Sequence, residues 1–278
     1  MGGHGRARQW SLALVAAAAV LIILFPVYWM VVTAHLPGTL ALSRHPPLLP
    51  SLADMSFDAF GRALLRRPFL VWAANTLIVA ISSTLLGLFI ASLAGYSLSR
   101  FRSRLQEVSG LALLVSKMLP GSLIVVPLFI MASQTGAIDS RFALILANTS
   151  VGVPFATWMM KGTFDAIPRE LDAAAAIDGC GRLQTLWHVV LPVARPGLAA
   201  VAIYLFIVAW ADFVFARTLV NSPELWTLTT GLASFVGEHG VDWPGLMAAG
   251  TLAMAPVFIL FVLLEPFLVS GMGAGAVK

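Results

Sequence analysis

The sequence predicts an all-α membrane protein with six transmembrane helices, and three observations carry the prediction. Of 278 residues, 59% are hydrophobic and only 11% are charged. A soluble domain carries about 25% charged residues, so this chain has too few to cover a water-facing surface. Six long stretches are almost free of charge, near residues 10–33, 71–98, 107–133, 142–160, 196–220 and 246–269. Each is long enough to cross a bilayer, which takes about 20 residues. Backbone polar groups in hydrocarbon must bond within their own segment, so these stretches are helices. The alternating strands of an outer-membrane barrel, roughly ten residues each, are absent.

The first stretch follows Arg6 and Arg8, as the apolar part of a signal peptide would. Trp10 to Thr33 is 24 residues long, however, and ends in Pro26, Tyr28 and Trp29 without a small-residue cleavage pattern. It reads as a retained span. Residues 1–9 form a cytoplasmic segment, and residues 10–278 form one transmembrane domain. The loop that follows, residues 34–70, contains Pro46, Pro47 and Pro50, which forbid a continuous helix there. Asp54 to Leu65 places Phe57, Phe60, Ala63 and Leu64 at helical spacing, as a short amphipathic helix at the membrane surface would.

Lys and Arg set the orientation. With the N-terminus inside, the cytoplasmic side holds ten of them and the outside six, the latter concentrated in residues 44–67. Six spans then put both termini in the cytoplasm. The formal net charge of +4 belongs to these topology signals, so nucleic acid is not an expected partner. The lone Cys180 cannot form an internal disulfide, and the five histidines show no ligand spacing, so no metal is expected.

The stretch between the fourth and fifth spans, residues 161–195, is unlike the rest. Pro168 suits a helix start, and Glu170 and Asp172 suit the positive end of its dipole. Ala173, Ala174, Ala175 and Ala176 propagate the helix, and Gly179 can end it in a left-handed conformation. A second short helix runs from about Arg182 to Val190 and stops at Pro192. The result is a short helix with a glycine elbow, a device that can push on a partner.

This stretch resembles the EAA loop of permease subunits of binding-protein-dependent ABC importers. The matching positions are Ala173-Ala174-Ala175, then Gly179, then Val189 and Leu191-Pro192. The departure is Ala173 where the family usually has Glu; Asp172 stands one residue earlier. Further stretches resemble the sugar-importing branch, the maltose-type second permease (MalG-like) family. They are Asn75-Thr76, Tyr96-Ser97-Leu98-Ser99-Arg100-Phe101, Met118-Leu119-Pro120, Ile167-Pro168-Arg169-Glu170-Leu171, Trp210-Ala211-Asp212-Phe213 and the ending Gly273 to Lys278. The resemblance covers roughly residues 70–278.

It implies a type I ABC importer permease fold with a cytoplasmic coupling helix, in the bacterial cytoplasmic (inner) membrane. The implied partners are a second permease subunit, two ATPase subunits and an extracytoplasmic sugar-binding protein. ATP and Mg would sit on the ATPase subunits; this chain would bind no cofactor. It lacks a G-x-x-x-x-G-K-[ST] phosphate loop and shows no catalytic arrangement, so it is not expected to be an enzyme. The implied contact with the ATPase runs through Glu170, Asp172, Ala173, Ala174, Ala175, Ile177, Asp178 and Gly179.

Candidates for the substrate path are polar or aromatic residues inside apolar spans: Lys117, Asn148, Trp210 and Asp212. A charge there is a functional hypothesis by default. Lys117 either donates to substrate hydroxyls or snorkels, and Asp212 either meets a hydroxylated ligand or pairs with Arg217. With only Lys117 available to a cavity, a neutral, hydroxylated ligand is favoured, and the resemblance implies a di- or oligosaccharide. An anionic solute such as glycerol phosphate, or a stand-alone secondary carrier, is the alternative; a carrier has no use for the helix elbow.

Overall fold

The computed structural model describes residues 3–118, 120–237 and 240–275. Leu119, His239 and the last three residues, Ala276 to Lys278, lie outside it, and with them part of two stretches used above. The chain divides into two compact units.

The first unit holds residues 1–69 and 232–255. Its main element, α1 (Gly3–His35), carries Pro26 within it. The amphipathic segment starts later than the sequence suggests, as Asp58–Gly61 followed by a wide turn over Arg62–Arg66. Its buried side is small: Ala59 and Ala63 are 3% and 0% exposed. His35, Phe57 and Phe60 form an aromatic group beside it, with ring centres 4.8 to 6.2 Å apart. Arg62 pairs with Asp242 at 3.3 Å.

The second unit holds residues 70–231 and 256–278. Its helices are α2 (Phe69–Arg100), α3 (Arg104–Met118), α4 (Gly121–Gln134), α5 (Arg141–Asp165), α6 (Glu170–Ile177), α7 (Arg182–Val193), α8 (Arg195–Trp210), α9 (Val214–Leu219) and α10 (Leu228–Ala233). A short hairpin, β1 (Val236–Gly237) and β2 (Gly240–Val241), precedes α11 (Trp243–Gly275), which runs from the first unit into the second.

Among the described residues, four unbroken helices are long and apolar enough to cross a membrane: Leu12–His35, Phe69–Arg100, Arg141–Asp165 and Trp243–Phe267. The other two expected spans are broken. The third is split into α3 and α4, bent by 103°. Pro120 stands at the N-cap of α4 with extended backbone. The fifth ends at Trp210, not near 220, and resumes as α9 after three residues. Pro192 does not stop α7; a wide turn over Leu186–Val190 precedes it, and Pro192 falls at the start of the next turn, where its missing amide costs nothing. The chain bends by 86° between α7 and α8 instead.

The core of the second unit lies where α2, α5, α7 and α8 meet. Ala91, Ala156, Met160, Phe164, Leu186, Val190 and Val201 are fully buried there. A Cβ on Gly95 would sit 2.7 Å from Met160 Cβ and 2.9 Å from the Lys161 amide nitrogen. Only glycine permits that approach of α2 to α5. Membrane helices rely on such small-residue contacts because lipid supplies little apolar driving force between them.

Candidate functional site

The loop 161–195 is a packed structure. Ile167, Leu186, Val190 and Leu191 join it to the core of α2, α5 and α8. On this base sits α6. It opens after Pro168, with Glu170 and Asp172 in the first turn. It closes in a Schellman motif: the Cys180 amide donates to the Ala175 carbonyl at 2.9 Å, and the Gly179 amide donates to Ala176 at 3.2 Å. Gly179 has φ of +83°, and nothing lies within 4 Å of where its Cβ would be. The glycine is therefore required by backbone conformation, not by crowding.

The helix has two faces. Glu170, Ala173, Ala174 and Ile177 share one side at spacings of three and four residues, and all are exposed. Ile177 is 87% exposed. Leu171, Asp172 and Ala175 share the opposite side, where Ala175 is 4% exposed. Of the eight residues expected at the contact, Asp178 and Gly179 are also exposed at the elbow, whereas Asp172 and Ala175 face the chain's own interior.

Asp172 enters a polar network that sequence reasoning missed. Tyr96 donates its hydroxyl to Asp172 Oδ1 at 2.7 Å. Arg100 Nε lies 3.0 Å from Asp172 Oδ2. That approach is not aligned as a hydrogen bond, so it acts as an ion pair. Arg100 also donates to the Phe164 and Ile167 carbonyls at 3.0 and 3.1 Å, which satisfies the C-terminal end of α5. Arg169 returns the arrangement, donating to the Ser99 carbonyl at 2.8 Å. Ser99 in turn donates to Asp165 at 2.7 Å, and Lys161 pairs with Asp165 at 2.5 Å. Tyr96, Arg100, Arg169, Asp172 and Arg182 line a cavity of about 360 Å³. The signal in the sequence was the four-residue spacing of Tyr96 and Arg100, which places both on one helix face.

The substrate-path candidates fall into two places. Asp212 lies in the break between α8 and α9, where its carboxylate accepts from the Phe215 and Ala216 amides at 3.1 Å each. This caps α9, and among the described residues no ion pair with Arg217 forms. Asn148 is 3% exposed; it donates to the Leu144 carbonyl at 3.0 Å and reaches Asp212 at 3.5 Å. Trp210 stacks on Phe206 at 5.3 Å. Lys117, one residue before the end of α3, stands 5.7 Å from the Tyr204 ring, which in turn lies 4.9 Å from Phe155. Tyr204 was not singled out from the sequence. A further cavity of about 820 Å³ lies beside α4 and α5. It offers the hydroxyls of Thr135, Thr149 and Ser150 amid apolar side chains, a chemistry that matches hydrocarbon and not a sugar.

Residues 62–273 match the family described as binding-protein-dependent transport system inner membrane component. The inner membrane ABC transporter permease protein YcjP of Escherichia coli (strain K12) is 35% identical over 264 residues, 94% of each chain. The maltodextrin transport system permease protein MdxG of Bacillus subtilis (strain 168) is 37% identical, covering 80% of this chain and 81% of that one. In structure, a chain of a bacterial ABC transporter involved in the import of the acidic polysaccharide alginate superposes with a TM-score of 0.80. It covers 96% of this chain and 98% of that one at 23% identity, which speaks to the fold alone.

Proposed function

This chain belongs to the family of binding-protein-dependent transport system inner membrane components, and from that premise we propose that it translocates a neutral di- or oligosaccharide as one permease subunit of an ATP-driven importer. It is a multi-pass membrane protein, and the proposed topology puts both termini in the cytoplasm with residues 10–278 as one permease domain. A second permease subunit, two ATPase subunits and an extracytoplasmic binding protein complete the assembly. ATP and Mg are held by the ATPase subunits, and this chain has no catalytic site of its own.

The observation that carries this reading is the bare outward face of α6. An eight-residue helix, closed at its C-terminal end by the Gly179 turn and braced from behind, holds Ile177 out at 87% exposure. Ile177 shares this exposed face with Ala173 and Ala174, so the surface is an apolar patch and not a lone side chain, as a contact surface requires. Glu170, Ala173, Ala174 and Ile177 are the face for an ATPase cleft, and Asp178 and Gly179 form its elbow. ATP-driven movement of that cleft displaces α6 and rocks the spans between inward-facing and outward-facing states, as alternating access requires.

The maltodextrin relative favours a sugar. Asn148, Asp212, Trp210 and Lys117, with Tyr204, are the proposed contacts with its hydroxyls and ring faces.

The experiment is purification of the tagged chain in mild detergent with identification of its partners and an ATPase assay. A P-loop ATPase, a second permease and hydrolysis stimulated by a maltodextrin-loaded binding protein support the reading. A homogeneous chain with no ATPase partner overturns it and restores the stand-alone carrier.

A further inference from the structure

We propose that Asp172 fastens α6 to the end of α2, so that a push on α6 reaches the membrane through Arg100 and Tyr96. This rests on the coupling role proposed for α6.

The two acidic groups of the first turn of α6 have opposite fates. Glu170 is on the exposed face, free to meet a partner. Asp172 is turned inward, its side chain 21% exposed, against an Arg100 side chain that is 8% exposed. Ala173, which follows Asp172, carries no charge. Asp172 therefore adds nothing to the outward face and instead holds two residues of one span, Tyr96 at 2.7 Å and Arg100 at 3.0 Å.

Arg100 is already committed to the end of α5 through the Phe164 and Ile167 carbonyls. Arg169, just before α6, is committed to the last turn of α2 through the Ser99 carbonyl. The ends of α2 and α5 and the start of α6 are thus joined by charge-assisted bonds, which are shorter and stronger than neutral ones. Displacing α6 without displacing the end of α2 would separate a largely desolvated ion pair. Moving them together separates nothing. The path of least cost takes the end of α2 along, which makes Asp172 and Arg100 positioning residues for transmission and leaves docking to the other face.

The test is hydrogen exchange on the assembled complex, compared between the nucleotide-free form and the form trapped with ATP and vanadate. In the wild type, residues 170–179 are protected by the bound ATPase, and residues 93–103 change their exchange when nucleotide is trapped. In Asp172→Asn the protection of 170–179 remains, and the nucleotide-driven change at 93–103 falls roughly tenfold. Asp172→Glu restores it. A substitution that only loosens the fold raises exchange in both states alike and leaves their difference in place.

A full nucleotide response at 93–103 in Asp172→Asn overturns the proposal. So does loss of ATPase protection at 170–179 in that variant, because Asp172 would then belong to docking. Should Asp172→Asn fail to assemble, Tyr96→Phe decides: a reduced response supports the fastening, and a wild-type response overturns it. Absence of protection at 170–179 in the wild type would instead refute the coupling role itself.

Discussion

The two ends of α2 are held by different chemistry. At one end Asn75, 1% exposed, uses a neutral amide. It donates to the Glu224 and Trp226 carbonyls at 2.8 and 2.9 Å and accepts from Arg141 Nε at 2.9 Å. Thr76 beside it accepts from the Leu228 amide at 2.8 Å. At the other end Arg100 uses a full charge, on Asp172 and on two carbonyls. Neutral bonds to backbone fix a loop in one shape. A charged group with several partners ties elements together and gives way all at once when one partner is lost. The contrast teaches that a static connection and a transmitting one can be built at opposite ends of one helix.

Arg100→Ala tests this contrast most severely. It leaves Asp172 without its counter-charge and frees two carbonyls at the end of α5. Breaking a buried pair by removing one partner costs about 3–5 kcal/mol, and the partial exposure of Asp172 puts this case at or below the low end of that range. Unfolding in detergent, followed by near-ultraviolet circular dichroism, should show the loss; an unchanged midpoint would refute the assigned role.

Asn75→Leu should cost less, about 2 kcal/mol, since a buried polar group left unpaired costs about 1–3 kcal/mol and the exposed Arg141 turns to water. The two ends share no partner, so the double variant Arg100→Ala with Asn75→Leu should be additive within about 0.5 kcal/mol. A larger coupling would mean that the ends communicate through the fold.

Gly179→Val should cost about 1–2 kcal/mol through its left-handed backbone alone, because the space around it is open. Gly179→Asn should be tolerated better. Equal stability of the two variants would show that the elbow relaxes.

The smallest effect is expected at Asp139, which holds the Asn75 end in place. The Ser222 hydroxyl, then the Ser222 and Asn221 amides, donate to its carboxylate and hold it below the usual carboxylate range. A carboxyl with a lowered folded value contributes stability above its unfolded value and loses it as pH falls through the folded one. The window lies below about pH 4. Melting temperatures of the wild type and Asp139→Asn, measured from neutral pH down into that window, should converge on acidification. A constant gap would dismiss the carboxylate as the cause.

Sequence reading went furthest where structure is local. The Gly179 elbow was legible because a Schellman motif depends on residues within one turn. The four unbroken spans were legible because length and apolarity alone require them. The breaks were not. Pro26, Pro127, Pro154, Pro256 and Pro266 all sit inside helices, whereas Pro120 sits at a break. Neighbouring helices can satisfy the carbonyl that a proline frees, so the residue type does not say which proline interrupts. The substrate-path candidates were equally ambiguous. Asp212 sits three and four residues before the amides it caps, yet a single carboxylate in an apolar run does not say that the helix breaks there.

The sequence by itself determined a helical, multi-span membrane protein with a short helix closed at Gly179, because hydrocarbon leaves the backbone no other choice and capping is written within a few residues. Which side of that helix faces out was decided only by tertiary structure. Asp172 and Ala173 are adjacent in an acidic, alanine-rich run, and either could have carried the outward face. Packing of Ala175 at 4% exposure and the meeting of Asp172 with Arg100 turned the carboxylate inward. Partners that come together from distant parts of the chain leave no periodicity to read.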